Sequence, residues 1–144
     1  MNLKSFVKAI ALTALAVGVV AGPAWAHHSF NAYDMSRTVR QAGEIKEFRW
    51  GAPHASMVLA YKNKGKDATM SVVTGSPLAF SRQGFKPRDF HKGDKVVLVY
   101  HPNVNGLPGG AMSTLILPDG RTYKDTEAAA ATPNAPAGGP TPTR

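Results

Sequence analysis

Apolar positions along most of the chain alternate with polar ones, the two-residue period of a strand with one buried face. Val39 to Trp50 is the longest such stretch, but its parity changes partway. Val39 and Ile45 share one face, Phe48 and Trp50 the other. Because a slip of a single residue turns every later side chain to the opposite face, this predicts a bulge or strong bend between Gly43 and Glu47. Ala55 to Tyr61 alternates around Met57, Leu59 and Tyr61, and Ala68 to Thr74 follows the turn-forming run Lys62 to Asp67. That pair reads as a hairpin. Ser76-Pro77 has the form of an N-cap followed by proline at the first helical position, with Gly84 as the stop, so Leu78, Ala79 and Phe80 belong to a short helix. Lys95 to Tyr100 is a continuous apolar strand, and Met112 to Leu117 is another beyond the glycine-rich loop Pro102 to Gly110. Pro118-Asp119-Gly120 then turns the chain into a last short strand, Arg121 to Lys124.

Three strands, one short helix and two or three further strands, with a long first strand that must bend, are the order of an OB-type barrel. The predicted fold is therefore all-β with one short helix, a small OB-like barrel of five to six strands. A β-sandwich is the competing arrangement, since seven short strands can be drawn from the same pattern.

The two ends lie outside this pattern. Lys4 and Lys8 form a positive n-region, and Ala9 to Ala21 is apolar or small apart from Thr13. Gly22-Pro23 breaks any helix, and Ala24-Trp25-Ala26 offers the small residues that a signal peptidase reads. The apolar run is shorter than the roughly 20 residues of a membrane span. Residues 1–26 are thus expected to be a signal peptide, and residues 27–124 the barrel domain. The last stretch, 125–144, is dominated by Ala, Pro, Gly and Thr and is expected to be a disordered tail. Export predicts a periplasmic or secreted protein with no stable membrane anchor after cleavage.

Charge and composition narrow the chemistry. The 144 residues carry a formal net charge of +8, and 43% are hydrophobic. Such a balance invites a nucleic-acid reading, but export and the scatter of the basic residues, with Lys62, Lys64 and Lys66 in one turn, argue against nucleic acid. The absence of cysteine excludes disulfides, thiolate metal sites, iron–sulfur clusters and cysteine nucleophiles.

The five histidines carry the remaining signal: His27, His28, His54, His91 and His101. His54 falls in Gly51-Ala52-Pro53-His54, between the first two strands, and His101 closes the fourth. In an OB barrel those two connections border one binding face. Cleavage after Ala26 makes His27 the new N-terminus, whose amine titrates near 7.7–8.0 and can yield its proton to a metal. Two chelates are open: the amine with the His27 ring, or the amine with the His28 amide nitrogen and ring. Imidazole and amine nitrogens without thiolates suit Cu(II), Ni(II) or Zn(II), with copper leading on intrinsic affinity. The candidate metal ligands are His27, His28, His54 and His101. His91 reads as solvated surface and Met35 as a packing residue.

Signals for catalysis are thin. Asp34, Glu44 and Glu47 have no visible partner, Ser29 beside His28 lacks nucleophile–base geometry, and Pro108-Gly109-Gly110 lacks the lysine and helix of a phosphate loop. An enzyme is therefore not expected, and a copper-dependent oxidase is the weakest of the readings. The competing function is a non-metal binding module for an envelope glycan, peptide or protein, with Trp50, Tyr100 and Phe30 as its anchors, although core packing is the stronger expectation for each of the three.

The chain also resembles a known family through Ala26-His27-His28-Ser29-Phe30, Glu47-Phe48-Arg49-Trp50, Pro53-His54, Gly93-Asp94-Lys95-Val96, His101-Pro102 and Pro118-Asp119-Gly120-Arg121. It is similar to an uncharacterised family of exported proteobacterial proteins described as a domain of unknown function. The resemblance implies export and a β-barrel-like domain, and it directs interest to the histidines at 27, 28, 54 and 101. Members usually have asparagine before the Pro-His pair, where this chain has Ala52, and tryptophan where it has Phe85.

Overall fold

A computed structural model describes residues 30–131. The expected signal peptide, His27, His28 and the end of the tail lie outside the described residues. Six strands form one sheet in the order β3-β2-β1-β4-β5-β6, and a parallel pairing of β3 with β5 closes the first five into a barrel. The strands are β1 (Val39–Arg49), β2 (Ser56–Asn63), β3 (Lys66–Val73), β4 (Lys95–Pro102), β5 (Gly109–Ile116) and β6 (Thr122–Lys124). The small all-β barrel expected from the alternating pattern is the fold observed. Among the described residues no helix is long and apolar enough to cross a membrane.

β1 bends where its parity slips. Its pairing with β2 shifts register between Ile45 and Glu47, inside the predicted window. Gly43 lies at the bend because a Cβ there would sit 2.5 Å from the Ala60 carbonyl oxygen and 2.8 Å from the Leu59 side chain. Its missing side chain lets β1 cross β2 closely. The β2–β3 hairpin turns on Lys64 and Gly65, with φ of 49° and 83°. Positive φ at both central residues matches the twist of the flanking strands.

A first helix, α1 (Pro77–Arg82), starts where predicted, the Ser76 side chain accepting a hydrogen bond from the Ala79 N–H. Its Phe80 is fully buried at the centre of an aromatic cluster, stacked on Tyr123 at 3.7 Å between ring centroids and edge-on to Phe48, Phe85 and Phe90. Phe48 in turn stacks on Phe90 at 4.1 Å. Each large side chain so buried contributes roughly 1.5–3 kcal/mol, which seats the helix against the barrel. Ile45, Met57, Leu59, Val72, Leu98, Met112 and Leu115 fill the interior.

One expectation needs correction. The chain is not unstructured from residue 125: Thr126–Ala131 form a second helix, α2. Composition pointed to a tail because alanine supplies no pattern, but the buried Asp125 caps this helix through its side chain. Trp50 and Tyr100 pack inward, the role expected of each ahead of anchoring a ligand. Trp50 packs against the core with its ring 5.4 Å from that of Phe80, and Tyr100 is buried. Bulky aromatics near strand ends were claimed by the interior because a barrel this small has few other groups of that volume to fill it.

Candidate functional site

One end of the barrel gathers residues from both ends of the described chain. The segment before β1 runs along the β4–β5 connection: Tyr33 bridges Asn103, the Asp34 N–H donates to the Pro102 carbonyl at 2.8 Å, and the Val104 N–H donates to that of Ala32 at 3.0 Å. These bonds hold Phe30 and Tyr33 beside the barrel mouth, their rings edge to face at 6.3 Å. From the β1–β2 connection comes His54. Its neighbour Ala55 is stitched to the end of β3, the Ala55 N–H donating to Gly75 and the Thr74 N–H to Ala55.

Between them lies a cavity of about 220 Å³ lined by Phe30, Tyr33, His54, Val73, Thr74, Ala111 and Asp125. Its walls are mainly apolar, with Tyr33, His54 and Asp125 as the ionisable groups. Glu127, on the first turn of α2, reaches back over this end. Its Oε2 is 3.5 Å from His54 Nδ1, and its carboxylate accepts hydrogen bonds from the Ser76 hydroxyl at 2.9 Å and the Ser76 N–H at 3.3 Å. One carboxylate therefore ties His54 to the cap of α1. With the carboxylate on the Nδ1 side of the ring, Nε2 is the nitrogen left for a ligand.

Asp125 Oδ1 accepts from the backbone N–H groups of Glu127 and Ala128, each at 3.0 Å, and so positions Glu127. Burial pushes the Asp125 carboxyl above the ordinary carboxylate range, against the opposing pull of these bonds. Tyr123, fully buried beside it, makes no hydroxyl hydrogen bond among the described residues, and burial holds its hydroxyl far above the usual phenol range. A raised carboxyl favours the protonated folded state, so stability falls as pH rises from the unfolded value near 3.9 through the folded one. Asp125→Asn keeps an oxygen acceptor for the cap and lacks this titration. We expect its stability relative to the parent to improve between pH 3 and pH 7, read from urea midpoints at each pH. A constant difference across that range would contradict the assignment.

His101 reaches the same end from β4. It is 4% exposed, and its Nδ1 donates to the Arg37 carbonyl at 2.9 Å, which leaves Nε2 with the lone pair. His101 lies opposite Ala111 in the β4–β5 ladder, and Ala111 itself lines the cavity. His101 itself is not among the residues that line the cavity bordered by His54. His91 is elsewhere, its Nδ1 3.4 Å from Asp94 on the exposed turn before β4. Among the described residues no three His, Asp or Glu side chains converge closely enough to hold a metal ion.

Asp125, Glu127 and Ser76 were missed by the pattern of residues. Ser76 was read only as a cap, and the two acids fell in the stretch assigned to the tail. An acid followed two residues later by another, ahead of an alanine run, was the available signal of a capped helix start.

No curated protein matches this chain. A family model matches residues 14–112, described as a family of unknown function, DUF6152. The match takes in His27, His28, His54 and His101 and ends before Asp125 and Glu127. Covering more than half of the chain, from ahead of the barrel through the start of β5, it makes this protein a member of the DUF6152 family.

Proposed function

We propose that this is an exported protein, periplasmic or secreted, that binds Cu(II) through histidines at one end of its barrel for storage, delivery or sensing. The observation that carries this reading is that Phe30 and His54 line the same cavity. His27 is three residues before Phe30, and three peptide units reach at most about 10 Å. A chain starting at His27 and running toward the cavity would bring its amine and two imidazoles to His54.

The donor chemistry agrees with the reading. His54 and His101 each have an oxygen at Nδ1, from Glu127 and Arg37 respectively. Oxygen partners of this kind fix the orientation of metal-binding imidazoles. The described residues do not form a complete ligand set, so the proposal requires nitrogens from His27 and His28. Export follows from the same requirement, since cleavage after Ala26 is what frees the amine.

Titration with Cu(II) against a competing chelator tests the proposal. The processed protein should take up one equivalent, and His54→Ala should weaken its binding by about tenfold or more, a loss of about 1.4 kcal/mol. Unchanged affinity in that variant would remove His54 from the site.

The alternative, a module for an envelope glycan, peptide or protein at the same face, draws support from the Phe30–Tyr33 aromatic pair in the cavity wall. Tyr100 is buried and Trp50 packs against the core, so Phe30 is the one of the three anchors that lines this cavity. Binding of such a ligand would survive His54→Ala and fail in Phe30→Ala.

A further inference from the structure

A second concavity, of about 700 Å³, lies on the wall where β1 leaves β2, with neither His54 nor His101 in its lining. β1 pairs with β2 from Glu44 to Arg49 and with β4 from Val39 to Glu44. Ahead of Gly43, the edge of β1 turned toward β2 has no strand partner among the described residues. β2 meanwhile continues to Asn63 with β3 as its partner.

The direction of the backbone groups on that edge follows from the ladder. Ile45 donates its N–H to the Asp94 carbonyl at 2.9 Å, and its own carbonyl accepts from the Gly93 N–H at 2.8 Å, so both its groups face the β4 side. Hydrogen-bonding direction alternates along a strand. Arg40 and Ala42 consequently aim their N–H and C=O groups at the unpaired edge. The Ala42 carbonyl accepts a hydrogen bond from the Gln41 side-chain amide at 2.8 Å, a local replacement for the missing strand.

We propose that this edge is a docking site for an extended acidic segment of a partner protein, added as a strand alongside Val39–Gly43. Strand addition takes its affinity from main-chain hydrogen bonds and its specificity from flanking side chains. Here the apolar part of the lining is Ala42, Ala60, Val96 and Val97 with the ring of Tyr61. Lys62 and Lys95 also line the groove, Arg40 lies on the open strand, Lys64 is in the adjoining turn and Lys66 begins β3 beside it. Against these five cations stand Glu44 and Asp67, the latter already paired with Lys62 at 2.6 Å. The surplus is positive, which selects a carboxylate-bearing strand. The chain's own last residues have the wrong chemistry: residues 132–144 contain four prolines, which lack the N–H a ladder needs, and no acid. An anionic polysaccharide would satisfy the charge and leave the alternating amide edge unused.

The test is amide chemical-shift mapping on the nitrogen-15-labelled protein. The probe is a short synthetic peptide alternating glutamate with valine and threonine. The amides of Arg40 and Ala42 should shift on titration. Binding should weaken by at least about tenfold when the peptide's bonding amides are N-methylated, and by a similar factor when its glutamates become lysine. Ala42→Pro, tolerable on an unpaired edge, should abolish the Ala42 contact and weaken binding comparably. Should that variant fail to fold, Lys62→Glu with Lys95→Glu should reverse the preference toward the lysine peptide. Equal binding of the N-methylated or lysine peptide, or shifts confined to other strands, would overturn the proposal. So would alginate shifting Arg40 and Ala42 where the acidic peptide does not. Copper binding enters none of these readouts, so the two proposals stand or fall separately.

Discussion

Gly109→Ala is expected to cost about 4 kcal/mol, the scale of a severe backbone clash in a closed fold. Gly109 pairs with Ser71 in the parallel ladder that joins β3 to β5 and closes the barrel. A Cβ at this position would overlap the Ser71 carbonyl oxygen and come within 3.4 Å of the Asn103 side chain. The overlap is with backbone on the partner strand, so relief requires the strands to part. Its φ of 124° adds a conformation that side chains rarely adopt. Domains of this size are stable by about 5–15 kcal/mol, so the substitution removes a large share. Gly106→Ala is the control, having φ of 77° with nothing within 4 Å of the added carbon. It should cost about 1–2 kcal/mol, the left-handed penalty alone. Urea midpoints read both, and equal losses would show that barrel closure does not depend on the close approach at Gly109.

Adding two residues ahead of His27 is expected to weaken Cu(II) binding at least about 100-fold, or about 2.8 kcal/mol. Extension converts the terminal amine into an amide. The amine loses its proton near 7.7–8.0 and offers a lone pair at neutral pH, whereas an amide must be ionised to serve. Both proteins retain His27, His28, His54 and His101, so the comparison isolates the amine. A chelate anchored on the amine also predicts that affinity falls steeply as pH drops from 8 to 6, because protons compete for the same nitrogens. Competitive titration at several pH values checks both statements. Equal, stoichiometric binding by the two proteins would eliminate the terminal nitrogen and leave the imidazoles alone to account for uptake.

The two halves of the candidate site differ in how far they could be read in advance. His54 and His101 were marked by their place at strand ends, and the barrel order implied that both connections meet at one rim. Glu127 escaped notice because its partners, His54 and Ser76, are 73 and 51 residues away along the chain. No local pattern encodes a contact of that range. Asp125 was hidden in the same way, since a carboxylate before an alanine run looks like solvated tail until its burial is known.

What the sequence determined by itself is what local physics encodes. Alternation set the strands, the parity change within Gly43 to Glu47 set the bulge, the turn-forming run Lys62 to Asp67 set the hairpin, and Ser76-Pro77 set the helix start. Each depends on neighbours a few residues apart, where backbone geometry and side-chain periodicity act. Gly109 and Gly110, by contrast, read as loop because glycine has no side chain to show a period, yet they begin β5. Only the closed barrel decided their role, by bringing Ser71 and His101 so near that any side chain would collide. Closure likewise drew Trp50 into the core, carried Asp125 and Glu127 to His54, and left the first half of β1 with an open edge. These are consequences of filling one small volume and pairing every strand that can reach another, and such constraints act between distant residues only once the chain has folded.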